Sequence, residues 1–228
     1  MDAAHRIGVG LFAKRPRPGE VKTRLAPVLG ASGAAGFARA LLDDGVARFE
    51  SLGARFELVF APAEEQPWFA ANYTGVTLRA QVGAGLAERL EHWFAHRPPG
   101  HPWAAVGSDA PWCDPARAAA AAELLAAGAD VVLGPDAGGG YDLVALAAPQ
   151  PGLFTDIQMS TRSMCDETRA WCAARGLEVA LLPPDYDVDD AEDWKRLCAD
   201  LAAGRGGPGQ RHVAAFVSTS DAQVARET

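Results

Sequence analysis

Short, almost purely apolar runs alternate along the chain with longer stretches whose apolar residues recur at helical spacing. Ile7–Phe12, Phe56–Phe60, Trp103–Val106, Val131–Leu133, Tyr141–Ala147 and Leu177–Leu182 read as strands. Gly33–Leu52, Gly85–His96, Pro115–Ala127, Thr161–Ala174 and Ala191–Leu201 read as helices. Phe37, Leu41 and Phe49 share one face of the first, and Pro115 opens the third. Strands that are apolar throughout, separated by helices, predict an α/β fold: a mostly parallel sheet covered on both faces. Such sheets bind ligands beyond the carboxyl ends of their strands, so the loops that follow strands are where chemistry is expected.

No repeat or linker divides the chain up to Gly204–Gly209, where G-R-G-G-P-G breaks the composition. The expectation is one domain over 1–203 and an appended extension over 204–228, in which Val213–Val217 could form a strand. Lys and Arg number 21 against 29 Asp and Glu, a net charge of −8, which argues against nucleic acid as a partner. Apolar residues make up 49%, enough to exclude disorder for the bulk of the chain. No run approaches the ~18 apolar residues of a membrane span and no secretory signal opens the chain, so a cytoplasmic protein without a membrane partner is expected. Cys113, Cys165, Cys172 and Cys198 form no C-x-x-C pair and read as core residues in a reducing compartment. A homodimer stays open.

Gly8 to Ala13 matches the dinucleotide fingerprint G-x-G-x-x-A, which needs a strand before the first glycine and a helix after the last. Here the glycines lie inside a strand and Arg15-Pro16-Arg17-Pro18 prevents a helix, so a nicotinamide site is not expected. The loop from Lys14 to Pro27 gathers Lys and Arg around Pro16, Pro18 and Gly19, without the G-K-T of a Walker A loop. A solvated basic loop would have the same spacing. A stiff one beyond a strand suits a triphosphate, because its ordering entropy is already lost.

Asp109, just past the Trp103–Val106 strand, is placed as an oxygen ligand for Mg²⁺ would be, or as a turn residue satisfying its own backbone. Asp114 before Pro115 reads as a helix N-cap. Gly138–Gly140 permits close approach to a ligand or a tight turn. Asp189 with Glu192 predicts an acidic cap on the last helix, which leaves Asp187 without a structural use. Four carboxylates within Asp185–Asp190 repel one another unless a cation is near. His92 and His96 have zincin spacing, but Trp93 stands where that motif has Glu, so a surface position is expected.

Taken in order, these segments resemble the GT-A nucleotide-diphospho-sugar transferase superfamily. The nearest likeness is to a bacterial family often labelled selenodomain-associated or arsenosugar-biosynthesis glycosyltransferase. The resemblance covers Ile7 to about Leu201. It rests on F-A-K-x-P-x-P-G-x-V-K-T-R-L at Phe12–Leu25, Q-x-G-x-G-L from Gln81 with Glu88-Arg89-Leu90, and G-S-D-x-P at Gly107–Pro111. G-P-x-x-x-G-G-Y at Gly134–Tyr141, S-T at Ser160–Thr161 and D-V-D-x-x-E-D at Asp187–Asp193 complete it. The first and third segments are also similar to phospholactate guanylyltransferases. The family's D-G-G-Y reads Gly138-Gly139-Gly140-Tyr141 here, so an acid is missing unless Asp136 replaces it, and its W-S-T reads Met159-Ser160-Thr161.

The resemblance implies a GT-A fold with Lys22 and Arg24 on nucleotide phosphates and Gln81 near the base. Asp109 would hold Mg²⁺ (or Mn²⁺), with Asp187 or Asp189 as second carboxylate. Lys22, Arg24 and Asp109 would be catalytic. By the same motifs Phe12, Ala13, Lys14, Gly19, Gly83 and Ser108 would join the nucleotide site, and Gly139, Gly140, Tyr141, Ser160 and Thr161 would contact the acceptor. The favoured function is Mg²⁺-dependent transfer of a nucleoside monophosphate from a nucleoside triphosphate to a small phosphorylated or acidic acceptor, because a basic loop suits a triphosphate tail. The alternatives are glycosyl transfer from a nucleotide-sugar and non-catalytic nucleotide binding.

Overall fold

The computed structural model describes residues 7–227. Its strands are β1 (Gly8–Lys14), β2 (Phe56–Ala61), β3 (Thr77–Ala80), β4 (Trp103–Gly107), β5 (Val131–Pro135), β6 (Tyr141–Leu146) and β7 (Val179–Leu181). Its helices are α1 (Ala26–Phe49), α2 (Gln66–Asn72), α3 (Leu86–Ala95), α4 (Pro115–Ala126), α5 (Met164–Ala173), α6 (Ala191–Ala202) and α7 (Arg211–Glu227). The strands form one sheet in the order β3-β2-β1-β4-β6-β5-β7, with β6 antiparallel to both its neighbours and every other pairing parallel. The mostly parallel α/β sheet read from the apolar runs is present.

Alternation along the strands sends odd and even residues to opposite faces. Val9, Leu11 and Ala13 of β1 join a core with Leu42, Val46 and Phe49 of α1 and Ala118, Ala121 and Leu125 of α4. On the other face Val59, Ala105 and Leu133 pack with Trp93 of α3 and Trp171 of α5. The glycines of the G-x-G stretch belong to this second packing. A Cβ on Gly8 would lie 2.3 Å from the Trp103 ring, and one on Gly10 2.3 Å from the Trp93 ring. They make room for tryptophans, not for a dinucleotide.

A third core lies beyond the sheet between α1, α6 and α7, and corrects the expectation for the tail. Val213–Val217 is helical, with Val213 and Val217 buried in that cluster. Asp44, buried in α1, accepts from the His212 and Val213 N–H groups at 2.9 Å each, so a carboxylate from α1 satisfies the amino end of α7. α1 with its flanking turns is long and apolar enough to cross a membrane, but it breaks at Gly30 (φ 69°), and Phe37, Leu41, Leu42 and Phe49 are buried in the cores. It behaves as a core helix.

Two short elements, α2 and β3, occupy the stretch between β2 and α3 where no element was expected. Asp114 caps α4 by accepting from Arg117 N–H at 2.9 Å, as expected. The α6 cap is displaced by one residue from the expected Asp189–Glu192 pair. Asp190 accepts from the Glu192 and Asp193 N–H groups, while Asp193 accepts from Asp190 N–H. Asp189 is thereby released for another partner.

Candidate functional site

The chain leaves β1 for β2 and β3 on one flank and returns to β4 on the other. The order therefore reverses between β1 and β4, where a crevice opens beyond the strand ends. Phe12 stands opposite Gly107, and Ser108 N–H donates to Phe12 O at 3.1 Å, which carries the pairing to the lip of the crevice. Lys22 follows the β1 loop and Asp109 follows β4, so both are delivered there.

Lys22 sits in the left-handed region (φ 46°, ψ 41°), which a non-glycine residue holds only when its surroundings demand it. Its Nζ donates to Asp189 Oδ1 at 2.6 Å and Asp109 Oδ2 at 3.3 Å, and the side chain is only 10% exposed. A Cβ on Gly107 would lie 2.4 Å from Asp109 Oδ1, so glycine there lets this carboxylate fold back over the strand end. One oxygen from each of Asp109, Asp187 and Asp189 lies within 4.8 Å of the others.

The charges in this cluster do not balance. The Lys22 ammonium holds the Asp109 carboxyl below its ordinary value, against burial. Burial works to lower the Lys22 pKa, but Asp109, Asp189 and Asp187 outweigh it and raise it. Asp187 is pushed up to about 7, first by burial and then by Asp109, Asp189 and Asp136, with Lys22 offsetting only part. Oxygen donors this close, with an under-neutralised member, fit a hard divalent cation.

Arg24 reaches the same rim but turns away from the trio. Its Nη2 donates to the capping residue Asp190 at 2.8 Å, and its side chain is 65% exposed. On the other side of the loop a cleft of about 230 Å³ is lined by Lys14, Arg15, Arg17 and Arg89 with Glu20 and Glu65, a surplus of two positive charges. Arg15 donates to Glu65 at 2.8 Å, and Arg17 pairs with the same carboxylate. Arg89 and Glu65 had no role in the sequence reading; Arg89 had a signal in Glu88-Arg89-Leu90, Glu65 none. Arg89 Nε donates to Gly83 O at 3.0 Å and Glu88 accepts from Ala84 N–H at 2.8 Å, so this pair pins the Gln81–Leu86 loop. A Cβ on Gly83 would lie 2.6 Å from Glu88 Cβ.

Other site residues have structural duties. Gln81 Nε2 donates to Val59 O at 2.8 Å and Ala13 O at 3.4 Å, tying the ends of β1 and β2. Phe12 packs edge-to-face on Trp93. Gly19 (φ 80°) is at an open turn. Asp136 accepts from the Gly138 and Gly140 N–H groups, which stitches the triple-glycine turn, and it also faces Asp187. A Cβ on Gly139 would lie 2.0 Å from Arg162 O, so this turn and the Ser160–Thr161 segment touch. Ser160 is left-handed (φ 59°) and Thr161 Oγ1 donates to Gln158 O. Tyr141 packs against the second core, and its hydroxyl is buried without a hydrogen-bond partner among the described residues.

The profile of a family described as "Uncharacterized protein conserved in bacteria (DUF2064)" matches residues 46–161. No curated protein matches the chain in sequence. Among solved structures, a protein of Desulfovibrio desulfuricans G20, provisionally assigned as a nucleotide-diphospho-sugar transferase, is similar over 97% of both chains, with 27% identity and a TM-score of 0.85. A cytidylyltransferase from Leptospira borgpetersenii serovar Hardjo-bovis (strain JB197) has 10% identity and a TM-score of 0.56 over 96% of this chain and 95% of its own. The molybdopterin-guanine dinucleotide biosynthesis protein A of Archaeoglobus fulgidus has 13% identity and a TM-score of 0.55 over 87% and 100%. The last two share the fold alone. With the GT-A-like architecture of the nucleotide-diphospho-sugar transferases established by its sheet and its neighbours, the chain belongs to the DUF2064 family.

Proposed function

We propose that this chain is a divalent-metal-dependent nucleotidyltransferase that moves a nucleoside monophosphate from a nucleoside triphosphate to a small phosphorylated or acidic acceptor. The observation that carries this reading is the buried Lys22 ammonium meeting Asp109, Asp187 and Asp189 at the switch point, beside a cationic cleft. An acceptor oxygen forms a bond to the α-phosphorus, the bond from that phosphorus to the bridging oxygen breaks, and pyrophosphate leaves with the electron pair. Mg²⁺ or Mn²⁺, held by oxygens of Asp109, Asp187 and Asp189, would neutralise charge at the reacting phosphate. Lys22 neutralises charge on the departing oxygens, and Lys14, Arg15, Arg17 and Arg89 favour the triphosphate tail. Gln81 Oε1 is the base-facing group, and the Gly139–Gly140 turn with Ser160 and Thr161 forms the acceptor side.

The transferase unit is proposed to span 1–203, with 204–228 as an extension whose Val213 and Val217 pack on α1. A cytoplasmic setting is proposed on the ground that the four cysteines form no disulfide among the described residues. A second reading, glycosyl transfer from a nucleotide-sugar, is favoured by the likeness to the Desulfovibrio protein over 97% of both chains.

The two readings differ in leaving group. Pyrophosphate release is measured with each nucleoside triphosphate, Mg²⁺ and a panel of phosphorylated acids, beside nucleoside diphosphate release from nucleotide-sugars. Lys22→Ala is expected to lower kcat about 100-fold or more, because the interaction is realised as charge builds on the leaving group. Turnover of nucleotide-sugars alone would overturn the nucleotidyl reading.

A further inference from the structure

Glu57 is the second residue of β2, about 13 Å down the strand from its carboxyl end at Ala61. It is 6% exposed and saturated with donors: Arg79 Nε at 3.0 Å and Nη2 at 2.8 Å, Trp93 Nε1 at 2.9 Å, and Arg97 Nη1. Its partners Arg79, Trp93 and Arg97 line a cleft of about 290 Å³ between edge strand β3 and helix α3. The cleft shares no lining residue with the one formed by Lys14, Arg15, Arg17 and Arg89.

The donors around this cleft exceed what Glu57 can absorb. Two guanidinium groups face one carboxylate. Among the described residues no acceptor lies on Arg79 Nη1 or Arg97 Nη2, although Arg97 is buried to 4% exposure between the Trp93 and Trp103 rings. His92 and His96 stack along the same wall with ring centroids 4.1 Å apart. His96 Nδ1 lies 2.7 Å from His92 O, and a carbonyl only accepts, so the proton is on Nδ1 and Nε2 is left open. Burial, His96 and Arg97 together hold the His92 ring below its ordinary pKa, so near neutral pH it is uncharged and can take up a proton beside an anion.

We propose that this β3–α3 cleft is a second ligand site, which takes the phosphate group of a small molecule between Arg79, Arg97, His92 and His96. A tetrahedral dianion with several acceptor oxygens uses divergent donors of this kind, and Arg favours phosphate through its fixed fork of N–H groups. Trp93 and the aliphatic part of the wall cover the organic remainder. Glu57 acts as the orienting group, fixing both guanidinium planes while cancelling only one of their charges. The site is linked to the crevice: Gln81 lines it and also ties the ends of β1 and β2, and Trp93 packs on Phe12.

The test titrates inorganic phosphate into the full chain and follows the His92 and His96 ring protons by NMR, assigned with His92→Gln and His96→Gln. Both signals are expected to move saturably, with a dissociation constant at or below about 1 mM, and the His92 titration midpoint to rise. Arg79→Gln, at a half-exposed position, is expected to weaken the effect about tenfold, while nucleoside triphosphate binding stays unchanged. Should Arg79→Gln fail to fold, His96→Gln serves in its place, read at His92. Signals that do not move, that fail to saturate, or that move equally in the variant overturn the proposal. The readout uses no turnover, so it stands or falls apart from the transferase reading.

Discussion

Glu57 and Asp187 are both carboxylates taken largely out of water, yet they end on opposite sides of their ordinary pKa. At Glu57 burial pushes the pKa up, but hydrogen bonds from Arg79, Arg97 and Trp93 overcome it and hold it low. At Asp187 burial pushes the same way, and Asp109, Asp189 and Asp136 push further, so it reaches about 7. Among the described residues no hydrogen-bond donor reaches the Asp187 carboxylate. The difference is therefore one of partners. A buried acid saturated with donors is a structural strut; a partly buried acid among other acids favours a positive charge beside it.

That contrast is most easily broken at Glu57. Glu57→Gln leaves the Arg79 and Arg97 guanidinium groups together without a counter-charge, the latter nearly buried. Removing one partner of a buried pair costs about 3 kcal/mol, and thermal melting of the variant is expected to show a loss of about 6–12 °C for a chain of this size. An unchanged melting temperature would mean that Glu57 is no strut.

Asp187→Asn sharpens the contrast from the other side and acts in the opposite direction. A carboxyl whose folded pKa is raised binds more protons folded than unfolded, so its cost is absent well below pH 3.8, where both states are protonated, and is still small near pH 3.5. The cost grows as pH rises from the unfolded value of 3.8 towards about 7, and is fully present above that. Metal-free Asp187→Asn is therefore expected to melt higher than the parent at pH 8, by about 1 kcal/mol after discounting for solvent screening. Near pH 3.5 the two should melt alike. A stabilisation that is the same at both pH values would refute the electrostatic cause.

Much of the sheet was legible because buried parallel strands are apolar throughout. β3 was not, since it is a short edge strand with alternating exposed residues, and neither was the seven-residue α2. Val213–Val217 carried apolar residues that fit either period, and only Asp44, 168 residues away in sequence, shows why a helix starts there. Within the candidate site, Asp109 and Asp187 could be picked out because one follows a strand and the other has no local use. The partners of the basic loop could not: Arg15 and Arg17 meet Glu65 across 50 and 48 residues, and Lys22 meets Asp189 across 167. Such pairings are set by the switch point of the sheet, which spacing along the chain does not encode.

Asp109, Asp187 and Asp189 are proposed to form a cation site that works together with nucleotide. The most direct measurement is the melting temperature at pH 8 with Mn²⁺ and a nucleoside triphosphate, separately and together, in the parent chain and in Asp109→Asn. Together, at about 100 times their dissociation constants, they should stabilise the parent by about 2.7 kcal/mol or more, and Asp109→Asn should lose most of that gain while keeping its metal-free fold. An Asp109→Asn variant stabilised as fully as the parent would contradict the account.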